Sequence, residues 1–177
     1  MMAADQNELE RIVRLRHLPA GETVIEANES ERAKLATRFG IHAIHALTAK
    51  VVLEPDGAAA RAKGTLSAAI EQECAVSGET FTTTFDEPVD LLFVPEAADQ
   101  ADEFEDEIEL ASDELDQIEF SGDSFDLGEA IAQTLGLAID PYADGPNADA
   151  VRAQAGIVAD DTPAGPLAAA LAALKRN

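Results

Sequence analysis

Cysteine occurs once in this 177-residue chain, tyrosine once and tryptophan not at all. A single cysteine forbids an internal disulfide and fits a reducing compartment, so a cytoplasmic protein is expected. With seven phenylalanines as the main aromatics and 46% hydrophobic residues, the core is expected to be small and aliphatic. No apolar run approaches the ~18 residues that a membrane-spanning helix needs. The acidic, polar start MMAADQNELE lacks the basic and apolar regions of a secretory signal. Basic residues are also few, with 12 Lys and Arg against 35 Asp and Glu and a net charge of −23.

That charge is unevenly spread. Residues 1–63 hold nine basic and nine acidic side chains, and between Lys63 and Arg152 there is no Lys or Arg at all. Such a field repels a phosphate backbone at long range and argues against an extended basic RNA-binding domain. It favours basic partners, or else simply keeps a solvated surface soluble.

Residues 64–95 carry the clearest pattern. Leu66, Ala68, Ile70 and Cys74 share one parity while Thr65, Ser67, Glu71 and Glu73 share the other, as in a half-buried strand. Ser77-Gly78-Glu79 supplies a turn. Phe81, Thr83 and Phe85 then alternate again, followed by Val89, Leu91 and Phe93. Upstream, Asn28 with Glu31 three residues on predicts a capping box, opening a helix through Leu35 and Phe39 that stops at Gly40. Residues 41–53 read as a long strand with its odd positions inward, among them His45 beside the core. The turn at Glu54-Pro55-Asp56-Gly57 returns the chain antiparallel over residues 59–73. Residues 10–18, 23–26 and 114–120 read as shorter strands. Asp126 caps a second helix, with Glu129 at its capping-box position, and Pro141 ends it.

These elements predict an α+β fold, a bent antiparallel sheet or partly closed β-barrel with one or two packed helices. One domain is expected over residues 8–142, interrupted by an acidic mobile linker at 96–112. Residues 143–177 read as a loosely ordered tail, with a short helix at 167–175.

The order of several short segments resembles the bacterial YceD family, the large ribosomal RNA subunit accumulation proteins, in its alphaproteobacterial form. The resemblance rests on Gly64, Leu66, Cys74, Gly78, Glu87-Pro88-Val89 and Phe93-Val94-Pro95. It is supported by Phe39-Gly40-Ile41, by Asp126-Leu127-Gly128-Glu129-Ala130, by Asp140-Pro141-Tyr142 and by Pro166-Leu167-Ala168-Ala169. It implies a non-enzymatic factor in 23S rRNA accumulation or processing and in large-subunit biogenesis. Such a factor would bind rRNA or a basic ribosomal protein or assembly factor. Gly64, Cys74, Gly78, Pro88 and Pro141 are then structural motif residues. Many relatives carry a second cysteine three positions after the first, and some a further pair near the C-terminus, a pattern suited to zinc. Here Ser77 stands at the first of those positions and no cysteine follows Tyr142, so neither metal nor cofactor is expected.

The residues themselves offer little chemistry. Cys74 has the parity of core residues, and the acidic neighbours Glu71, Glu73 and Glu79 are expected to raise its pKa. His42 and His45 fall on opposite faces of a regular strand and cannot act together without a bulge. No phosphate loop, nucleophile elbow or calcium loop is present. A binding surface remains. Arg14 and Arg16 on the first strand, Lys34 and Arg38 one turn apart on the first helix, and Lys50, Arg61 and Lys63 on outward strand positions are the candidates for contact with RNA or another partner. The alternatives are ordinary solvated charge at these positions, and an acidic protein-interaction adaptor unrelated to rRNA.

Overall fold

The computed structural model describes residues 8–96 and 117–157. The expected linker at 96–112, apart from Glu96, and the expected helix at 167–175 lie outside these residues. The described chain divides into two units. The first comprises residues 1–72 and 82–140, and the second residues 73–81 and 141–177, each limited to its described part.

The first unit is built on a five-stranded sheet in the order β2-β3-β4-β5-β6, formed by β2 (Glu22–Glu26), β3 (Ala43–Asp56), β4 (Ala59–Glu73), β5 (Thr80–Pro95) and β6 (Gln117–Phe120). A two-stranded ladder joins β1 (Ile12–Arg14) to β7 (Ser124–Asp126). The α+β class is therefore as expected, but the sheet is open, with β2 and β6 as its edges, rather than closed into a barrel. β5 and β6 run parallel, which the reading of an antiparallel sheet did not include. Residues 10–18 are only partly strand, because the chain leaves β1 into a 3-10 turn at Leu15–His17.

Helix α1 (Glu29–Phe39) begins as its sequence dictates. Asn28 Oδ1 accepts the Glu31 N–H at 3.0 Å while the Glu31 carboxylate accepts the Asn28 N–H at 2.8 Å. Gly40, at φ +67°, closes the helix in the left-handed conformation that a side chain resists. Helix α2 (Leu127–Ala138) starts at Asp126, whose side chain accepts the N–H groups of Gly128 and Glu129. Glu129 does not complete a capping box; its carboxylate meets Arg38 and Gln133 instead.

One face of the sheet carries the core. Leu47, Ala49, Val51 and Leu53 of β3, and Leu66, Ala68 and Ile70 of β4, are buried with Leu35 and Ala36 of α1 and Leu127, Ile131 and Leu135 of α2. Phe93 stacks on Phe125 with ring centroids 4.1 Å apart. The parity read for β4 holds throughout, with Leu66, Ala68, Ile70 and Cys74 all buried. In β3 it holds only beyond the strand's first turn of pleat. The register slips between Ile44 and Ala46, so Ile44 pairs Ile70 while Ala46 pairs Ala69, and His45 is the extra residue. Ile44 is buried before the bulge and Leu47 after it. The inward parity assigned to Ala43 and His45 thus reverses.

Gly64 lies inside β4, opposite Val51, and not at the start of a strand. A Cβ there would overlap the Lys50 carbonyl oxygen, so the β3 and β4 backbones approach as only glycine allows. Pro88 sits in β5 at a level that β6, paired only with Leu92–Pro95, does not reach, so its missing N–H interrupts no bond to β6.

The second unit holds the tip of the β4–β5 hairpin and α3 (Ala148–Gln154). That helix stands within the stretch expected to be loosely ordered.

Candidate functional site

The seven candidate cations occupy three separate places in the first unit. Arg14 ends β1 and Arg16 lies in the 3-10 turn that follows, and neither makes an ion pair among the described residues. Lys34 and Arg38 are on α1. Arg38 grips Glu129 of α2 bidentately, at 2.9 and 2.8 Å, and reaches Glu8 at 3.1 Å. These bonds, led by that to Glu129, raise the guanidinium pKa further above its already high range. Arg38 therefore ties α1 to α2, and its charge is already matched.

Lys50, Arg61 and Lys63 project from the sheet face opposite the helices. Lys50 stands between Val24 of β2 and Thr65 of β4, Lys63 opposite Val52, and Arg61 opposite Glu54. Arg61 forms two hydrogen bonds to Asp90, at 2.7 and 2.9 Å, and Lys63 lies 3.9 Å from the same carboxylate. The Arg61 hydrogen bond, reinforced by the charge of Lys63, holds Asp90 below the usual carboxylate range. Val24 and Val52 are 54% and 39% exposed beside them, which leaves apolar surface within this mixed-charge face.

A groove of about 390 Å³ runs between α1 and the beginning of β3. Arg32 of α1 and His42 and His45 of β3 and its approach line it, together with Glu29 and Thr37. Arg32 is part-buried and fixed by two backbone carbonyls: Nε donates to Ile44 at 3.1 Å and Nη1 to Ala27 at 2.6 Å. The bulge supplies the condition that a regular strand denies, since both histidines reach the same groove. His45 is half-exposed and lies 3.1 Å from Glu71, not beside the core as its parity suggested.

In the second unit, Cys74 sits at the start of a tight turn. Its carbonyl accepts the Gly78 N–H and its own N–H donates to the Glu79 carbonyl, both at 2.9 Å. Gly78, at φ +70°, takes the position where a side chain would be strained. The buried sulfur accepts the Ser77 N–H at 3.3 Å. The hydroxyl and N–H of Ser77, with the Gly145 and Val76 amides, lower the thiol pKa to about 7 against the opposing effect of burial. The expectation of a raised pKa is corrected: the donors at hydrogen-bond range of the sulfur decide the direction of the shift. The sequence signal for this was the small, polar turn Ser77-Gly78, which brings backbone amides round to the sulfur.

A hollow of about 500 Å³ beside this turn is lined by Cys74, Ser77, Glu79, Phe81, Gly145 and Asn147. Ala75 donates to the Ala143 carbonyl at 3.1 Å and Asn147 Nδ2 to Glu79 at 2.8 Å, so the 74–79 turn and the 143–147 segment are held face to face. A Cβ on Gly145 would lie 3.0 Å from that of Cys74. Among the described residues no three His, Cys, Asp or Glu side chains gather as metal ligands.

This hairpin, its turn and the facing segment fall within the match to one family model. That model, described as large ribosomal RNA subunit accumulation protein YceD, matches residues 62–175. The chain belongs to the YceD family. No curated protein and no solved structure matches it. The YceD match covers Gly64, Cys74, Gly78, Pro88 and Pro141, whereas Arg14, Arg16, Lys34, Arg38, Lys50, Arg61 and the α1–β3 groove lie before it. The family's name carries a role in the accumulation of large-subunit ribosomal RNA, and it names no reaction. No helix among the described residues is long and apolar enough to cross a membrane.

Proposed function

We propose that this YceD protein supports 23S rRNA accumulation and large-subunit biogenesis as a non-enzymatic factor in the cytoplasm. Its molecular act is to hold a basic ribosomal protein or assembly factor on the precursor particle, and any contact with rRNA is local. The observation that carries this reading is the charge of the family-matched region: from Gly64 onward the chain has three basic residues against twenty-six acidic ones. A surface of that sign attracts basic proteins and raises their encounter rate, and it repels a bare phosphate backbone. The candidate cations support the same division of labour. Arg38, Arg61 and Lys63 are matched by Glu129, Glu8 and Asp90, leaving Arg14, Arg16, Lys34 and Lys50 without ion pairs among the described residues. Four scattered cations suit a small contact, not a groove that tracks nucleic acid.

Affinity capture of the full chain, with and without RNase, tests the molecular act. Basic large-subunit proteins retained after RNase support it, and recovery that depends wholly on intact RNA contradicts it. Reversing Arg14, Arg16, Lys34 and Lys50 to Glu should then weaken precursor association modestly, because the acidic region makes the main contact.

A further inference from the structure

Strand β2 is an edge of the five-stranded sheet, and among the described residues only β3 pairs with it. Its register with β3 decides which backbone groups are spent. The ladder runs on past Glu26 into the bond from the Ala27 N–H to the Leu47 carbonyl, at 3.1 Å, so Ala27 belongs to a hydrogen-bonded pair. Bonded and non-bonded pairs alternate along an antiparallel ladder. Thr23 and Ile25 therefore turn their N–H and C=O groups to β3, while Glu22, Val24 and Glu26 turn theirs to the open edge. Arg11 agrees with this direction, because its Nη2 donates at 3.1 Å to the Glu26 carbonyl, an oxygen that the ladder leaves unused. Among the described residues, both backbone groups of Glu22 and of Val24 and the N–H of Glu26 meet no protein partner.

The side chains of these three residues share one face and are exposed, Val24 at 54%. Ile25, buried in the core, holds the strand in place. Proteins guard an open edge with charge, proline or a bulge. Here the guard is a pair of carboxylates flanking a valine, and neither carboxylate makes an ion pair among the described residues. Such a guard is selective. Two copies of β2 paired antiparallel about Val24 would set Glu22 against Glu26 twice, and like charges directly opposite are destabilising. An acidic strand meets the same repulsion. A strand with cations at those two positions does not.

We infer that β2 accepts a strand from a basic partner protein, added antiparallel at its open edge, with the pattern Lys/Arg-x-Val/Ile-x-Lys/Arg. The partner's central aliphatic residue faces Val24 and exchanges both backbone bonds with it, and its two cations stand opposite Glu22 and Glu26. Main-chain bonds supply the affinity and the alternate side chains supply the choice of partner. Two cations of this chain lie near. Arg11, at the Glu26 end, is already matched by Glu31. Lys50 stands beside Val24 on β3. It is two strand spacings from the added strand, about 9.5 Å, which is close to the screening length at physiological salt, whereas the facing carboxylates are about 5 Å away. The nearer pairs decide the sign. Only the partner's identity rests on the reading that this chain holds a basic large-subunit protein or assembly factor; the strand site does not.

Amide NMR on the full, isotope-labelled chain at physiological ionic strength tests the site. The probe is the synthetic peptide Thr-Lys-Thr-Val-Thr-Lys-Thr. A second peptide has Glu at both Lys positions. A third keeps the lysines but is N-methylated at its valine, which removes the N–H meant for the Val24 carbonyl and leaves the charge unchanged. Saturable shifts at the amides of Glu22, Val24 and Glu26, with slowed hydrogen exchange at Val24, are expected from the first peptide alone. The Glu22→Lys/Glu26→Lys variant changes only exposed side chains and should bind the lysine peptide at least about tenfold more weakly while gaining the glutamate peptide. No saturable shift, equal binding of the N-methylated peptide, shifts confined to residues beyond Gly64, or an unchanged preference in the double variant overturns the inference. RNase-treated affinity capture reads the partner separately. A positive titration without basic large-subunit proteins in the capture removes that reading and leaves the strand site, whereas a failed titration with those proteins retained removes the strand site alone.

Discussion

Replacing Gly64 by alanine distinguishes a close backbone approach from an ordinary strand glycine, because the two give opposite signs. In a regular strand the exchange stabilises by about 0.5–1 kcal/mol, since alanine loses less conformational freedom on folding. Here the new Cβ would overlap the Lys50 carbonyl oxygen and crowd the Val51 Cα, both of them backbone atoms that cannot rotate away. β3 and β4 must separate locally. Losing two ladder hydrogen bonds costs about 2 kcal/mol, and overpacking adds about 1–3 kcal/mol. The strands involved carry Ala49, Val51, Ala62 and Leu66 into the core, so relaxation in one strand disturbs buried packing. The expected outcome is a loss of about 3–5 kcal/mol, a large part of the stability of a domain this size. Urea unfolding followed by circular dichroism, with Gly→Ala at the turn residue Gly78 as a comparison, measures it. Gly78 meets nothing within 4 Å, so only its positive φ opposes alanine and the loss there should be about 1 kcal/mol. Unchanged or increased stability in Gly64→Ala would refute the close approach.

Three further outcomes follow from the ion pairs and the thiol. Arg38→Ala should cost about 1–2 kcal/mol because it leaves the Glu129 carboxylate part-buried and unmatched, while Asp90→Asn on the exposed sheet face should cost under ~0.5 kcal/mol in the same unfolding assay. Arg11 and Arg38 hold Glu31 and Glu129 below the usual carboxylate range, so their contribution is complete above the unfolded value near ~4.3 and is lost as pH falls through the folded values. Unfolding curves should accordingly weaken on acidification below about pH 4.5, and Arg38→Ala should lose less over that window. Alkylation of Cys74 should show a pH midpoint of about 7, and Ser77→Ala should move it toward the ordinary thiol range; a midpoint already there in the parent chain would contradict the amide cradle.

Local rules made much of this fold legible. The Asn28–Glu31 box, the Gly40 stop, the Asp126 cap and the alternation of β4 each depend on residues within a few positions, and all of them stand in the structure. The departures arise where distant segments meet. His45 becomes the extra residue because β3 and β4 slip by one between Ile44 and Ala46, and no period-two pattern within β3 announces that slip. The reason for Gly64 is the Lys50 carbonyl, fourteen positions upstream, which no pattern around Gly64 itself announces. Glu129 fits a capping box by spacing, yet Arg38, 91 residues away in sequence, offers it a stronger, charged partner. Charge parity likewise misjudged Cys74, whose sulfur responds to nearby amides more than to the carboxylates around it in sequence. Of the binding surface, the sequence identified which cations face outward but not which are already matched, since matching depends on Asp90 and Glu129 arriving from other elements.

Depletion of this YceD protein from growing cells, followed by measurement of the 23S to 16S rRNA ratio and the subunit sedimentation profile, tests the central claim most directly. A fall in 23S rRNA with a deficit of large subunits, restored by the intact chain, is the predicted result. A normal ratio with a normal profile would contradict a role in large-subunit biogenesis and leave an acidic adaptor with other partners.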